Sequence, residues 1–405
     1  MKTSTSIPRR FRPATRGDLN HLIRDLRHGK ADYTLADIDI SAITDLSLLF
    51  CNYKIGSKYD LFHVHYGSNN LISYPMKDFT GIETWDVSHV TDMSGMFVGC
   101  DTLTDNLLAS WEVSKVTSMR GMFCGCKTLA GESLCSWDVS GVTDMNGMFY
   151  CCGKLTGGSL GSWDVSAVTD MSYMFRGCHS LTGESLGSWN VSAVTDMSEM
   201  FQDCPSFTGG SLASWDVAAV FDMTSMFEDC TAFTGESLAL WNVSSVGCMD
   251  SMFAGCTSFT GGSLASWNVS SVGDMEAMFS GCTSFTGESL GSWDVSSVLG
   301  MRAMFAGCTS LTGGSLSSWD VSSVDDMEAM FSGCTSFTGE SLSSWDVSAV
   351  EEMCEMFADC KALNGYALRN WEPSSVTDTR SMFKGCPLPC AADVPAVLRN
   401  NRYVP

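Results

Sequence analysis

The sequence predicts a repeat solenoid of about 13 coils, each with a short strand and a short helix, held by a parallel ladder and capped at both ends. Three observations lead to this fold class. All twelve tryptophans, from Trp85 to Trp371, follow one uninterrupted spacing of 26 residues, and a Met-Phe pair and a cysteine recur in the same register in every unit. Because unrelated domains joined by linkers would not keep one phase, we expect the array to form a single domain.

The repeat over residues 163–188 indicates what one coil contains. Trp163 and Val165 alternate with polar residues, which predicts a short strand with one buried face. Asp170 and Gly177 then suit the start and the stop of a short helix. The stripe between them has the i, i+3, i+4, i+7 spacing of one helix face, at Met171, Met174, Phe175 and Cys178.

The two ends differ from the middle, as the caps of a solenoid must. Residues 1–37 are predicted to form an N-terminal cap with an amphipathic helix, and residues 38–84 a degenerate first coil with an insertion. Residues 85–386 hold the twelve repeats, the last of them truncated, and residues 387–405 form a C-terminal cap or tail. The expected apolar face of the helix and the expected core of the first coil are Leu19, Leu22, Ile23, Leu26, Ile38, Ile40, Ile43, Leu46, Leu49 and Phe50.

Charge and hydropathy argue against several classes of protein. The chain has 23 Lys and Arg against 46 Asp and Glu, so its formal net charge is −23. A nucleic-acid binder needs a basic surface, and a partner of this chain is therefore expected to be neutral or basic. No stretch approaches the roughly 18 apolar residues of a membrane span, and no secretion signal or lipidation motif is visible, so we expect neither a transmembrane segment nor an anchor.

The motif W-D-V-S-x-V-T-D-M-S-x-M-F-x-G-C-x-S-L-T-G resembles the 26-residue repeat of BspA-like leucine-rich-repeat surface proteins of bacteria, over about residues 38–390. The resemblance implies a right-handed, leucine-rich-repeat-like solenoid. It also implies a surface adhesin or lipoprotein that touches host or matrix proteins. The cell surface is therefore the implied location, and the cytoplasm is the alternative because no signal peptide or anchor is seen.

The periodic tryptophans and cysteines each have a functional and a structural interpretation. The tryptophans suit a ribbon that stacks on sugars, but their alternation with valine favours a place in the core. The cysteines suit disulfides between coils, a metal ladder, or small buried hydrophobic side chains. Disulfides could join the coils only in pairs, but every coil carries one such cysteine and no two-coil alternation selects the pairs. The sequence therefore favours small buried hydrophobic side chains.

Candidate metal and catalytic groups are few. The aspartates that follow many of the tryptophans and precede many of the first methionines suit calcium, but each series is interrupted, as at Asn190 and Ser118, and turn and helix capping explains them without a metal. His63 and His65, near Asp60, form the one local cluster with metal-ligand chemistry, and such a polar loop is more often only a loop. We expect no catalytic residue, no cofactor and no metal.

Function is expected where the repeats differ, because packing already explains the positions that repeat. The helix-side positions vary most, and between Arg176 and Lys361 the one basic residue is Arg302. We predict a non-catalytic interaction protein, adhesin-like, that binds a protein or glycan through this acidic face. The alternatives are an intracellular protein–protein interaction scaffold and, third, a hydrolase or metal protein that uses the His63/His65 loop. Self-association through an uncapped end is also open. The candidate partner-binding residues are Tyr173, Glu199, Asp203, Asp229, Asp250, Glu276, Arg302, Glu328 and Glu355.

Overall fold

The chain folds into two compact units built from 26-residue coils. Unit 1 comprises Met1–Leu181 and Ser188–Ala193, and unit 2 comprises Thr182–Gly187 and Val194–Pro405. Within each unit, a coil pairs with the coils before and after it along the chain. The computed structural model describes residues 10–55, 57–58, 61, 72–387 and 394–399.

In the described ranges, α-helix is found at the two ends: α1 spans Arg16–Arg27 and α2 spans Ala396–Arg399. Thr15 caps α1, because its side chain accepts a hydrogen bond from the backbone N–H of Asp18 and its own N–H donates to the Asp18 carboxylate. The helix buries Leu19 and Ile23 against the first coil, so the predicted N-terminal helix is confirmed.

Short 3₁₀ helices recur from coil to coil in the described part of the chain, in most coils directly before the tryptophan. A left-handed glycine opens several of them. Their bounds are Leu35–Asp37, Ile82–Thr84, Asp105–Leu108, Glu132–Ser136, Leu160–Ser162, Leu186–Ser188, Leu212–Ser214, Glu236–Leu240, Gly262–Ser266, Glu288–Ser292, Gly314–Ser318, Glu340–Ser344 and Gly365–Leu368.

Parallel pairing between coils is reduced to one bridge per coil in the described part of the chain. Asp144 pairs with Asp170 in this way, and the residue in this place is called the bridge residue of its coil below. The predicted strand at Trp163 and Val165 is therefore wrong: the pairing lies elsewhere in the coil and involves a single residue. Trp163 is extended, with φ −72° and ψ 132°, but it follows a 3₁₀ helix and the bridge forms seven residues later.

The predicted short helix at Met171 to Cys178 is also wrong, because this segment is a run of overlapping β-turns. Within the run, the N–H groups of Met174, Arg176 and Cys178 donate to carbonyls three residues back. Tyr173 and Gly177 have φ of 61° and 73°, which no α-helix contains. Every second N–H group of a run instead donates to a carbonyl oxygen of the next coil. The donors Met145, Gly147, Phe149 and Cys151 pair in this order with the carbonyls of Asp170, Ser172, Met174 and Arg176, at 2.7–3.1 Å.

The helix-like spacing misleads for a physical reason. It reports which side chains point inward, and all four residues of the predicted stripe are indeed fully buried. Overlapping turns place the same four inside while turning every second N–H outward to the neighbouring coil. That arrangement satisfies the backbone of a stack better than an isolated short helix would.

Within each unit, the core contains columns in which aromatic side chains stack on their counterparts one coil away. In unit 2, the rings of Phe253 and Phe279 stack at 5.7 Å with planes 7° apart, and those of Trp267 and Trp293 at 6.5 Å with planes 1° apart. The indole Nε1–H of Trp293 donates to the carbonyl of Leu264 at 3.1 Å. Because each ring is buried and hydrogen-bonded, the core interpretation of the tryptophans is confirmed.

The repeated cysteines form a buried column of free thiols. The Sγ–H of Cys282 donates to the carbonyl oxygen of Phe253 at 2.9 Å, and Cys256 and Cys334 form the same bond one coil before and two coils after. None of the described cysteines is in a disulfide. Burial raises the pKa of Cys334 to about 12. The interpretation as small buried side chains is confirmed, and the structure adds that the thiol shares its carbonyl acceptor with a backbone donor, since the Phe253 carbonyl also accepts from the N–H of Cys256 at 3.0 Å.

Candidate interaction surface

All nine predicted partner-binding residues lie on the turn runs, between the bridge residue and the cysteine of their coil. Each of them is half-buried or exposed. Tyr173 belongs to unit 1 and the other eight to unit 2. We call the latter the turn face of unit 2: Glu199, Asp203, Asp229, Asp250, Glu276, Arg302, Glu328 and Glu355.

Five of the nine residues hold a left-handed backbone that sequence reasoning missed. Their φ values are 61° for Tyr173, 55° for Glu199, 56° for Asp203, 59° for Asp229 and 56° for Glu355. A residue with a Cβ loses roughly 1–2 kcal/mol in this conformation. The sequence did carry a signal, because sister repeats have glycine at the same places. Gly147 corresponds to Glu199, and Gly177 to Asp203.

Acidic charge is concentrated in unit 2. Its sequence holds 27 Asp and Glu against 7 Lys and Arg, whereas unit 1 holds 19 against 16. The one basic side chain of the turn face, Arg302, is engaged on both sides: its guanidinium lies 2.6 Å from Glu328 and 3.8 Å from Glu276. Neighbouring carboxylates of the face repel one another, as Asp203 and Asp229 do, and Asp250 and Glu276.

Asp250 shows the effect of this crowding. Its Oδ1 is shielded from solvent and accepts no hydrogen bond from the described residues. Burial raises the pKa of Asp250 to about 6, and the neighbouring carboxylates of Asp274 and Glu276 add to the shift. Burial also raises the pKa of Asp229, with further contributions from Glu228 and Asp203. A cation bound at these residues would relieve the repulsion and stabilise their charged forms.

The corresponding turns of unit 1 have a different character because the chain itself covers part of them. Val98 and Cys124 pack in a buried cluster with Cys51 and Leu61, which come from the first coil and its insertion. The ring of Tyr53 lies so close over Gly99 that a Cβ there would be 2.3 Å from it. Covered turns are thus apolar and rich in glycine, whereas the turns of unit 2 are charged.

Beyond the covered part, Tyr173 takes part in a cation–π group. The guanidinium of Arg176 lies 5.6 Å from the ring centroid of Tyr150 and 6.0 Å from that of Tyr173. Such contacts hold a long side chain in place on a surface.

The other candidate features are the histidine loop, the periodic aspartates and a membrane span. Asp60, His63 and His65 lie outside the described residues. Within the described ranges, no three His, Cys, Asp or Glu side chains are grouped so that they could hold a metal ion. The aspartates accept hydrogen bonds from backbone N–H groups two residues on, as Asp164 does from Ser166 at 3.0 Å, which is turn capping. No helix in the described part of the chain is long and apolar enough to cross a membrane.

Among solved structures, the chain is similar to a leucine-rich-repeat protein of T. pallidum, TpLRR. The identity is 17%, the match covers 44% of this chain and 74% of that chain, and the TM-score is 0.27. A second similarity is to a TLR13–ssRNA13 complex. The identity is 10%, the match covers 77% of this chain and 56% of that chain, and the TM-score is 0.17. At these TM-scores neither similarity supports a structural or functional assignment. No curated protein matches the chain.

A family comparison matches the repeats themselves. The family described as "Mycoplasma protein of unknown function, DUF285" matches four overlapping segments, residues 70–182, 152–260, 233–340 and 311–388. Together the segments take in the whole array of tryptophan-containing repeats. The chain therefore belongs to this family of Mycoplasma proteins of unknown function.

Proposed function

We propose that this chain is a non-catalytic interaction protein, a leucine-rich-repeat-like stack whose turn face in unit 2 binds a basic protein. The observation that carries the proposal is the excess of carboxylates on that face, together with the raised pKa of Asp250. The repeated positions are accounted for by packing, whereas the turn-face positions differ from coil to coil. Carboxylates repel the anionic groups of acidic glycans, so the charge favours a basic protein over such a glycan.

The cell surface is the location that the resemblance to BspA-like proteins supports, and an adhesin-like role follows from it. An intracellular scaffold is the second candidate, and the column of free thiols favours it because reduced cysteines are typical of reducing compartments.

Labelling of intact producing cells with a membrane-impermeant amine reagent distinguishes the two locations. We expect the protein to be labelled while an internal control protein stays unlabelled. Protection of both proteins would contradict the surface location and favour the scaffold.

Binding through the turn face is tested with a fluorescent decalysine peptide and two triple variants. We expect D203N/D229N/D250N to weaken binding about tenfold, because three carboxylates that face the peptide lose their charge. Asparagine tolerates the left-handed backbone of Asp203 and Asp229, so the fold is kept. Binding is measured by fluorescence anisotropy at several salt concentrations.

The matched control is D216N/D294N/D320N, which makes the same change of charge at the exposed residues after three tryptophans of unit 2. Sister repeats carry asparagine there, at Asn242 and Asn268. The control is expected to bind within twofold of the wild type. Equal weakening in both variants would mean that net charge alone attracts the peptide, and would contradict a site on the turn face.

A further inference from the structure

A shallow apolar notch interrupts the polar surface of unit 2 beside the turn face. Large hydrophobic side chains that are more than half exposed are rare in the described residues: Tyr74, Phe221, Leu240, Leu299 and Tyr366. Among these, Phe221 and Leu299 share one place in the repeat, directly before the bridge residue, and are 59% and 55% exposed. Single exposed hydrophobic residues are common on proteins, but two in one register position on nearby coils form a defined patch.

The two coils between Phe221 and Leu299 carry glycine at this place, Gly247 and Gly273, where most sister repeats carry threonine. The backbone ladder joins these rows: the N–H of Gly247 donates to Phe221, the N–H of Leu299 donates to Gly273, and Cys248 forms the bridge with Asp274. The four residues therefore follow one another across adjacent coils, about 5 Å apart.

The two glycines have different surroundings. A Cβ on Gly247 would lie 2.6 Å from the ring of Phe221, so that ring lies over Gly247. A Cβ on Gly273 would have nothing within 4 Å. Gly273 is thus the floor of an open notch with the Phe221 ring on one side and Leu299 on the other. With about 10 Å between the rows of Gly247 and Leu299, the notch is wide enough for one side chain.

Carboxylates border the notch on both sides of Leu299. The carboxylate of Asp274 lies over Gly300, because a Cβ there would be 2.9 Å from its Oδ1. Asp325 follows Leu299 in the next coil, and its N–H donates to the Leu299 carbonyl. Glu276, in the turn run that begins at Asp274, is exposed as well. An occupant of this notch must therefore combine an apolar body with a positive end.

We propose that the Gly273 notch binds one long cationic side chain, a lysine or an arginine, presented by an extended segment of a basic partner protein. The aliphatic stem lies between Phe221 and Leu299, and the charged end reaches Asp274 or Asp325. Long basic side chains bury their stems on apolar surface while the charge stays with polar groups, and an aromatic ring beside the charge adds attraction. This inference rests on the proposed function, since it identifies where a basic partner of the turn face is anchored.

The test uses the full-length chain and the same decalysine peptide. G273T fills the notch with the residue that sister repeats carry and leaves every charge in place, and F221T/L299T removes both walls in the same conservative way. We expect each variant to weaken binding about fivefold, with no change in the slope of log K against log salt concentration. G210T, at another open glycine of unit 2, is the matched control and should bind as the wild type does. Thermal melts verify that all variants are folded.

The outcomes separate the two proposals. If G273T and F221T/L299T bind like the wild type while D203N/D229N/D250N binds more weakly, the notch is not an anchor and the turn face still binds the basic partner. If none of these variants changes the affinity, or if the peptide does not bind at all, both proposals are overturned.

Discussion

Replacing Gly261 with alanine is expected to destabilise unit 2 by about 3 kcal/mol, whereas the same change at the next residue, Gly262, is expected to cost nothing. Gly261 has a φ of 79°, a conformation in which an L-residue loses roughly 1–2 kcal/mol. The new Cβ would also lie 2.1 Å from the ring of Phe285, which is fully buried. Overpacking of this kind adds about 1–3 kcal/mol, because a stacked ring has little room to move.

Gly262 is a control that differs by a single position. A Cβ there meets nothing within 4 Å, and no left-handed φ is present. Alanine reduces the freedom of the unfolded chain, so the free energy of unfolding should stay the same or rise by about 0.5 kcal/mol. Urea unfolding followed by tryptophan fluorescence compares the two variants. Equal stability of G261A and G262A would contradict the tight contact between this turn and the phenylalanine column.

Mild alkali is expected to unfold unit 2 at a pH where most proteins stay folded. Burial raises the pKa of five thiols in its cysteine column: Cys230, Cys256, Cys282, Cys308 and Cys334. In the unfolded chain these thiols ionise near pH 9, whereas in the folded chain they keep their protons. Above that pH the folded state binds more protons than the unfolded state, so stability falls as pH rises.

The size of this effect follows from the number of thiols. Each contributes about 1.4 kcal/mol per pH unit above its unfolded pKa, so five thiols contribute about 10 kcal/mol at a pH near 10.5. That is comparable with the whole stability of a typical domain, about 5–15 kcal/mol. We expect urea midpoints to be constant from pH 7 to 8.5 and to fall steeply up to pH 10.

Cys282→Ala gives the matched test, since it removes one titrating thiol from the middle of the column. The variant loses the hydrogen bond to Phe253 and should be less stable at pH 7, but its stability should decline less steeply with pH than that of the wild type. A flat stability between pH 8.5 and 10 in the wild type would contradict the raised thiol pKa values. Alkylation by iodoacetamide, mapped for each cysteine, provides a further control, because exposed Cys135 should react in the native protein before Cys282 does.

The sequence predicts the composition of the core well and the course of the backbone poorly. The apolar spacing correctly predicts that Met171, Met174, Phe175 and Cys178 are buried, because periodic apolar residues indicate burial whatever the backbone conformation is. The same spacing predicts a helix where the chain forms overlapping turns. Backbone hydrogen bonds between coils favour the turns over a helix, and the hydrophobic spacing within one coil contains no information about these bonds. The division into two units was likewise not visible in a sequence whose period is unbroken.

The candidate surface could be located from the sequence but not understood from it. Variation among repeats pointed to Asp229 and Asp250, and both lie on the turn face. The raised pKa of Asp250 depends on carboxylates of the neighbouring coil, which only the stacking brings close. The sequence does not reveal Phe221 and Leu299 as neighbours, because they are 78 residues apart in the chain and only the stacking of three coils brings them onto one surface.

The columns of like residues have a consequence for how such a protein changes over generations. Because each ring, thiol and indole rests on its own counterpart 26 residues away, a gene that gains or loses one whole repeat offers every remaining side chain the same kind of neighbour as before. A shift of a single residue has the opposite effect, since it would place polar groups in every column at once. The array can therefore lengthen by whole repeats without disturbing its core, and the charged turns can diversify each time a coil is copied.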